Sequence, residues 1–125
     1  MKIPIASKQA PTAIGPYSQA IRAGDVIYLS GQIGLNPETM QMEEGIDAQI
    51  RRVFTNLQAV AAAAGGGLND TVKLTVYLTD LAHFPRVNEI MEAFFQKPYP
   101  ARATVGVHAL PRNALVEIEA VLAMS

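Results

Sequence analysis

No cysteine occurs among the 125 residues, which excludes disulfides, thiolate nucleophiles and cysteine-held metals and suits a reducing cytosol. Charge is scarce as well: 17 % of residues are Asp, Glu, Lys or Arg, the net charge is −1 and the pI is near 6.1. Such a chain has no sequence-wide attraction for phosphate backbones or anionic lipids, so neither nucleic acid nor membrane is an expected partner. No stretch approaches the ~20 apolar residues of a membrane span, and the N-terminal eight residues have no apolar region of signal-peptide length. A cytoplasmic protein is expected. Also missing is a second histidine or acid at metal spacing beside His83, which reads as a capping or surface residue, so no metal is expected.

Apolar residues, by contrast, make up 50 % of the chain. A chain of this length buries enough surface to fold as one domain, residues 1–125, and the apolar surplus points to self-association. Residues 2–15 carry Pro4, Pro11 and Gly15 in a mixed background and read as an extended or looping arm. Ala20–Arg22 and Val26–Ile33 read as two strands around the Ala23-Gly24-Asp25 turn. The glycines of Ser30-Gly31-Gln32-Ile33-Gly34 mark either a bulge or a place where another group comes close to the backbone.

From Ile46 to Ala64, apolar residues recur at three- and four-residue steps and define a helix, stopped by Gly65-Gly66-Gly67. Its stripe is read as core without site residues, and Arg51 and Arg52 as solvated charges. Thr71–Thr79 alternates as a strand with Val72, Leu74, Val76 and Leu78 inward. A second helix follows Asp80 and ends before Pro98 and Pro100. Two strands, Arg102–Leu110 and Leu115–Ala123, close the chain, and locally they pair as a hairpin. The order β-β-α-β-α-β-β describes an α/β or α+β sheet with both helices on one face, leaving the other face to be covered by association.

Few side chains are available for chemistry. Ser18 and Ser30 lack a nucleophile-elbow context, and the triple glycine lacks the Lys-Ser/Thr of a phosphate loop. Glu117 and Glu119 share a strand face at roughly 6.5–7 Å. That spacing resembles an inverting glycosidase pair, but there the two acids face each other across a cleft. Arg102 stands at a strand start, where its planar fork suits either a small carboxylate or a structural salt bridge.

Five segments in order then carry a resemblance: Gly15-Pro16-Tyr17-Ser18-Gln19-Ala20, Tyr28-Leu29-Ser30-Gly31-Gln32-Ile33, Val87-Asn88-Glu89, Pro100-Ala101-Arg102-Ala103-Thr104-Val105, and Leu110-Pro111 through Ile118-Glu119-Ala120-Val121. Together they resemble the RidA/YjgF family from about Ser7 to Ala123. The resemblance implies a chorismate-mutase-like mixed sheet with two helices on one face, assembled as a homotrimer with clefts between subunits. It replaces the terminal hairpin with a final strand inserted between the Val26 and Thr71 strands.

The resemblance further implies an enamine/imine deaminase without a cofactor, hydrolysing imines such as that from 2-aminoacrylate, released by PLP-dependent dehydratases, to 2-keto acids and ammonia. Arg102 would hold the substrate carboxylate and Glu117 would serve the water. Tyr17, Ser30, Gly31 and Asn88 would line the cleft, the backbone of Thr104 would touch the ligand, and Glu119 would be structural. The other reading is a binding module for 2-keto acids. RNA cleavage, attached to some relatives, is disfavoured by the charge balance. Two departures stand out: Thr104 replaces a cysteine common in bacterial relatives, and the link at residues 96–100 is shorter than in some.

Overall fold

The computed structural model describes all residues, Met1–Ser125. Six strands and two helices follow one another as β1 (Lys2–Ile5), β2 (Ala20–Ala23), β3 (Val26–Gln32), α1 (Ile46–Ala63), β4 (Thr71–Leu78), α2 (Phe84–Phe94), β5 (Ala101–Gly106) and β6 (Val116–Ala123). They form one mixed sheet in the order β1-β2-β3-β6-β4-β5. Only β4 and β5 run parallel, joined through α2, as a parallel pair requires a crossover. β6 therefore has no pairing with β5 and enters the middle of the sheet, antiparallel to both β3 and β4. The local hairpin reading fails for this reason, and the inserted strand implied by the resemblance is found.

Alternation decides which face meets the helices. Val116, Ile118, Ala120 and Leu122 of β6 are buried with Ile27 and Leu29 of β3 and Leu74, Val76 and Leu78 of β4. These residues join Ile50, Val53, Phe54, Leu57 and Val60 of α1 and Val87, Ile90 and Met91 of α2 in one core, so both helices cover the same face. Phe54, fully buried, packs edge-on against Phe95 at 5.5 Å. The opposite face is uncovered and carries Tyr28, Lys73, Tyr77, Glu117, Glu119 and Val121, with Tyr28 53 % exposed.

Three departures from the sequence reading have local causes. The N-terminal arm contributes an edge strand, β1, which pairs with β2. The register of β4 slips between Thr71 and Lys73, so Thr71 turns inward and Val72 becomes 47 % exposed, reversing the alternation at that end. Arg52 is paired, 3.0 Å from Glu43, rather than simply solvated.

α1 ends as the glycines direct. Gly65 takes φ 88, and the Gly65 and Gly66 N–H groups return to Ala62 O and Ala61 O, the hydrogen-bond pattern of a left-handed helix stop. Its buried side includes two polar residues absent from the apolar stripe. Gln49 donates to Glu43 O and accepts from Leu115 N, anchoring the approach to β6. Asn56 donates to Ile33 O and Leu35 O, holding the chain where it leaves β3. Asn56→Ala takes a donor from both carbonyls, Ile33 O keeping the Leu35 N–H, and is expected to lower unfolding stability in urea by about 1–3 kcal/mol.

Candidate active site

β3 carries the first half of the site. Leu29 pairs with Ala120 but Gln32 pairs with Ile118, so Ser30-Gly31 forms a bulge with one residue more than the facing segment of β6. Into that bulge comes Glu117: a Cβ on Gly31 would lie 2.6 Å from Glu117 Oε2 and 3.0 Å from its Cδ. Both meanings read into the strand glycine thus hold together, since the bulge exists and a carboxylate occupies the space a side chain would take. Gly31→Ala is expected to leave the fold intact, because the group displaced is the end of a flexible side chain, and to lower turnover by about tenfold or more by moving that carboxylate. Steady-state kinetics beside a circular dichroism melt checks both parts.

Around Glu117 the chain forms a recess of about 570 Å³, with Tyr17, Gln19, Ser30, Gly31 and Arg112 in its wall. Gln19 shapes one side of it, donating to Ser7 O and Pro11 O and accepting from Ser7 N, which folds the N-terminal arm over the sheet. Ser30 Oγ donates to Ser18 O at 2.6 Å, so the loop leading into β2 is tied to the bulge. Burial pushes the Glu117 carboxyl above its ordinary 4.5, with the Glu119 charge adding to the effect. Glu119 is engaged instead: Tyr77 donates to it at 2.8 Å, and that bond raises the Tyr77 phenol. Two glutamates on one face therefore differ in their commitments.

Arg102 belongs to a second recess, of about 450 Å³, with Asn88, Met91, Glu92, Tyr99 and Pro100. Its Nη1 donates to Asn88 Oδ1 at 2.7 Å and to Met91 Sδ at 3.7 Å, and the guanidinium lies 4.9 Å over the Phe84 ring. Phe84, Asn88 and Met91 stand four and three residues apart, one stripe of α2 turned toward Arg102. Sequence reasoning missed Phe84 and Met91 as site residues, although this helical spacing was their signal. The ion pairs of the chain join Arg52 to Glu43 and Arg86 to Asp47 and Glu89. Arg102 is in none of them, which removes the salt-bridge reading and leaves most of its five N–H donors unspent.

The sequence-derived site residues are thus split. Tyr17, Ser30, Gly31 and Glu117 meet in one recess, whereas Asn88 and Arg102 meet in the other. Thr104, two residues beyond Arg102, lines neither, and its Oγ1 is buried without a partner. Register explains the split. Arg102 pairs with core residue Leu74 and points to the helix side, while Glu117 pairs with Tyr77 on the uncovered side.

A mixed sheet with two helices on one face, a bulge holding a glutamate and, on the helix side, an arginine without an acid partner defines a class of protein. The chain belongs to the RidA/YjgF family: the family model described as Endoribonuclease L-PSP matches residues 7–124. It is similar to the crystal structure of RidA from the Antarctic bacterium Psychrobacter, at 51 % identity and TM-score 0.94 over 96 % of this chain and 98 % of that one. Escherichia coli TdcF, solved with bound serine, superposes with TM-score 0.95 at 37 % identity over 98 % of this chain and 99 % of that one. A Dermatophagoides farinae protein named 2-iminobutanoate/2-iminopropanoate deaminase is 47 % identical, over 94 % of this chain and 93 % of its own. No helix here is long and apolar enough to cross a membrane.

Proposed function

We propose that this chain hydrolyses the C=N bond of small 2-imino acids, 2-iminopropanoate and 2-iminobutanoate among them, to 2-keto acids and ammonia. Imines released by PLP-dependent dehydratases are its substrates, and it works as a homotrimer with clefts between subunits. The observation that carries the reading is a carboxylate with no cation, Glu117, together with a guanidinium with no acid, Arg102. The name of the Dermatophagoides farinae relative supports it. Within one chain the two groups point to opposite faces of the sheet, so one small molecule reaches both only where two copies meet. The uncovered apolar and polar face supplies the surface for that meeting.

In such a cleft the Arg102 fork binds the substrate carboxylate and fixes C2. The backbone of Thr104 and the Asn88 side chain complete that side. Water held by Glu117 adds its oxygen to C2, and the C=N electron pair moves to nitrogen. Glu117 takes a proton from the water and passes it to the nitrogen, giving a carbinolamine. The hydroxyl proton follows the same route as the C–N bond breaks, leaving the keto acid, ammonia and an ionised Glu117. Burial suits Glu117 to this exchange by making it a stronger base than an exposed glutamate, and such proton transfer is worth about 10²–10⁴-fold.

Imines made in situ by an amino-acid oxidase, with keto-acid release followed over time, test the proposal. Acceleration over buffer is the expected result. The bound serine of TdcF favours a second reading, a small-carboxylate binding module. Calorimetry with 2-oxobutanoate giving tight binding, without any rate effect on imines, selects it. RNA cleavage is set against by the net charge of −1.

A further inference from the structure

Arg112 stands at the mouth of the Glu117 recess and has no part in the reaction described above. It has φ 56 and ψ 31, and Asn113 follows at φ 59, two successive left-handed residues that are not glycine. Such backbone costs on the order of 1 kcal/mol or more per residue and gathers at sites where a side chain must be aimed. The guanidinium makes one hydrogen bond, Nη2 donating to Met40 O at 3.1 Å, and pairs with no acid. Its other N–H groups remain free at the rim of a recess that already contains an ionisable carboxyl and a tyrosine.

In the single chain the recess is an open one of about 570 Å³, with room beside Glu117 for a group longer than a methyl. We propose that Arg112 is a second carboxylate-binding cation of this site, and that imino acids with a distal carboxylate, the imines of aspartate and glutamate, are substrates. This inference rests on the deaminase reading and extends its substrate class. Arg102 takes the carboxylate next to the reacting carbon, and Arg112 takes the one at the far end of the side chain. A dicarboxylate then has a cation for each charge, with Glu117 at the carbon between them.

The competing role is a clamp, since the bond to Met40 O joins two left-handed turns. A ratio separates the two. Wild type, Arg112→Met and Arg112→Lys are assayed on the imines of glutamate and alanine, each made by an oxidase of matching specificity. Wild type is expected to turn over both. Arg112→Met is expected to lower the acidic-to-neutral ratio of kcat/KM about five- to tenfold, through KM, with Arg112→Lys keeping most of it. An unchanged ratio, an equal loss on both imines, or turnover of the alanine imine alone by wild type overturns the inference. Acceleration of neither imine counts against the deaminase reading itself. The role of Arg112 is then read from calorimetric Kd values for 2-oxoglutarate and 2-oxobutanoate, and a ratio unmoved in Arg112→Met overturns it.

Discussion

Replacing Arg102 by alanine is expected to lower kcat/KM for imine hydrolysis by about 10²–10³-fold, the cost of removing one partner of a charge-assisted carboxylate contact. The loss is specific because Arg102 has little structural duty. It donates to Asn88, rests over Phe84 and joins no ion pair, and its strand is an edge strand. Melting temperature and oligomer size are expected to stay near wild type. Arg102→Lys is expected to recover only a small part of the activity, since an ammonium cannot reproduce the planar two-pronged contact. Full activity in Arg102→Ala, measured by keto-acid release, contradicts the assignment.

Glu117→Gln is expected to divide activity from stability. Turnover falls by about 10²–10⁴-fold as the base is lost. Stability moves the other way. Burial raises the folded-state pKa of Glu117 above its ordinary 4.5, so in the window between these values the folded state binds more protons than the unfolded state. The stability contributed by this group is therefore present at low pH and is lost as pH rises through the window; above it, folding works against a buried charge. The glutamine variant has no such charge, and is expected to melt higher than wild type at about pH 8 and level with it at about pH 4. Equal melting temperatures at both pH values, with activity lost, contradict the buried-charge account. Gly31 makes this burial possible, because any side chain there would meet the carboxylate.

The elements governed by local periodicity were legible in the sequence. The stripe of α1, its glycine stop and the inward set Leu74, Val76 and Leu78 of β4 stand where spacing puts them, since one residue's burial depends on its neighbours at fixed steps. Pairing between distant strands was not. Whether β6 meets β5 or β3 is decided by the right partner for a strand many residues away, and only the five collinear segments carried that information. The β4 slip at Thr71 was hidden because Thr71-Val72 reads as ordinary alternation, and no glycine announces the bulge. At the site, Glu117 and Gly31 were individually visible, but their contact at the bulge was not. Arg112 was invisible as a ligand group because Pro-Arg-Asn reads as a turn, and the turn's left-handed geometry is a property of the fold.

The opposed faces of Arg102 and Glu117 make the central claim a matter of which chain supplies which group. Arg102→Ala and Glu117→Gln subunits, each inactive alone, can be unfolded together in equal amounts and refolded as mixed oligomers. If each cleft takes its arginine from one subunit and its glutamate from the next, random mixing restores both groups in about a quarter of the clefts of a closed ring. Recovery of about a quarter of wild-type keto-acid release from the mixture is the predicted result. Activity no greater than the sum of the two separate variants, in oligomers verified to be mixed, contradicts it.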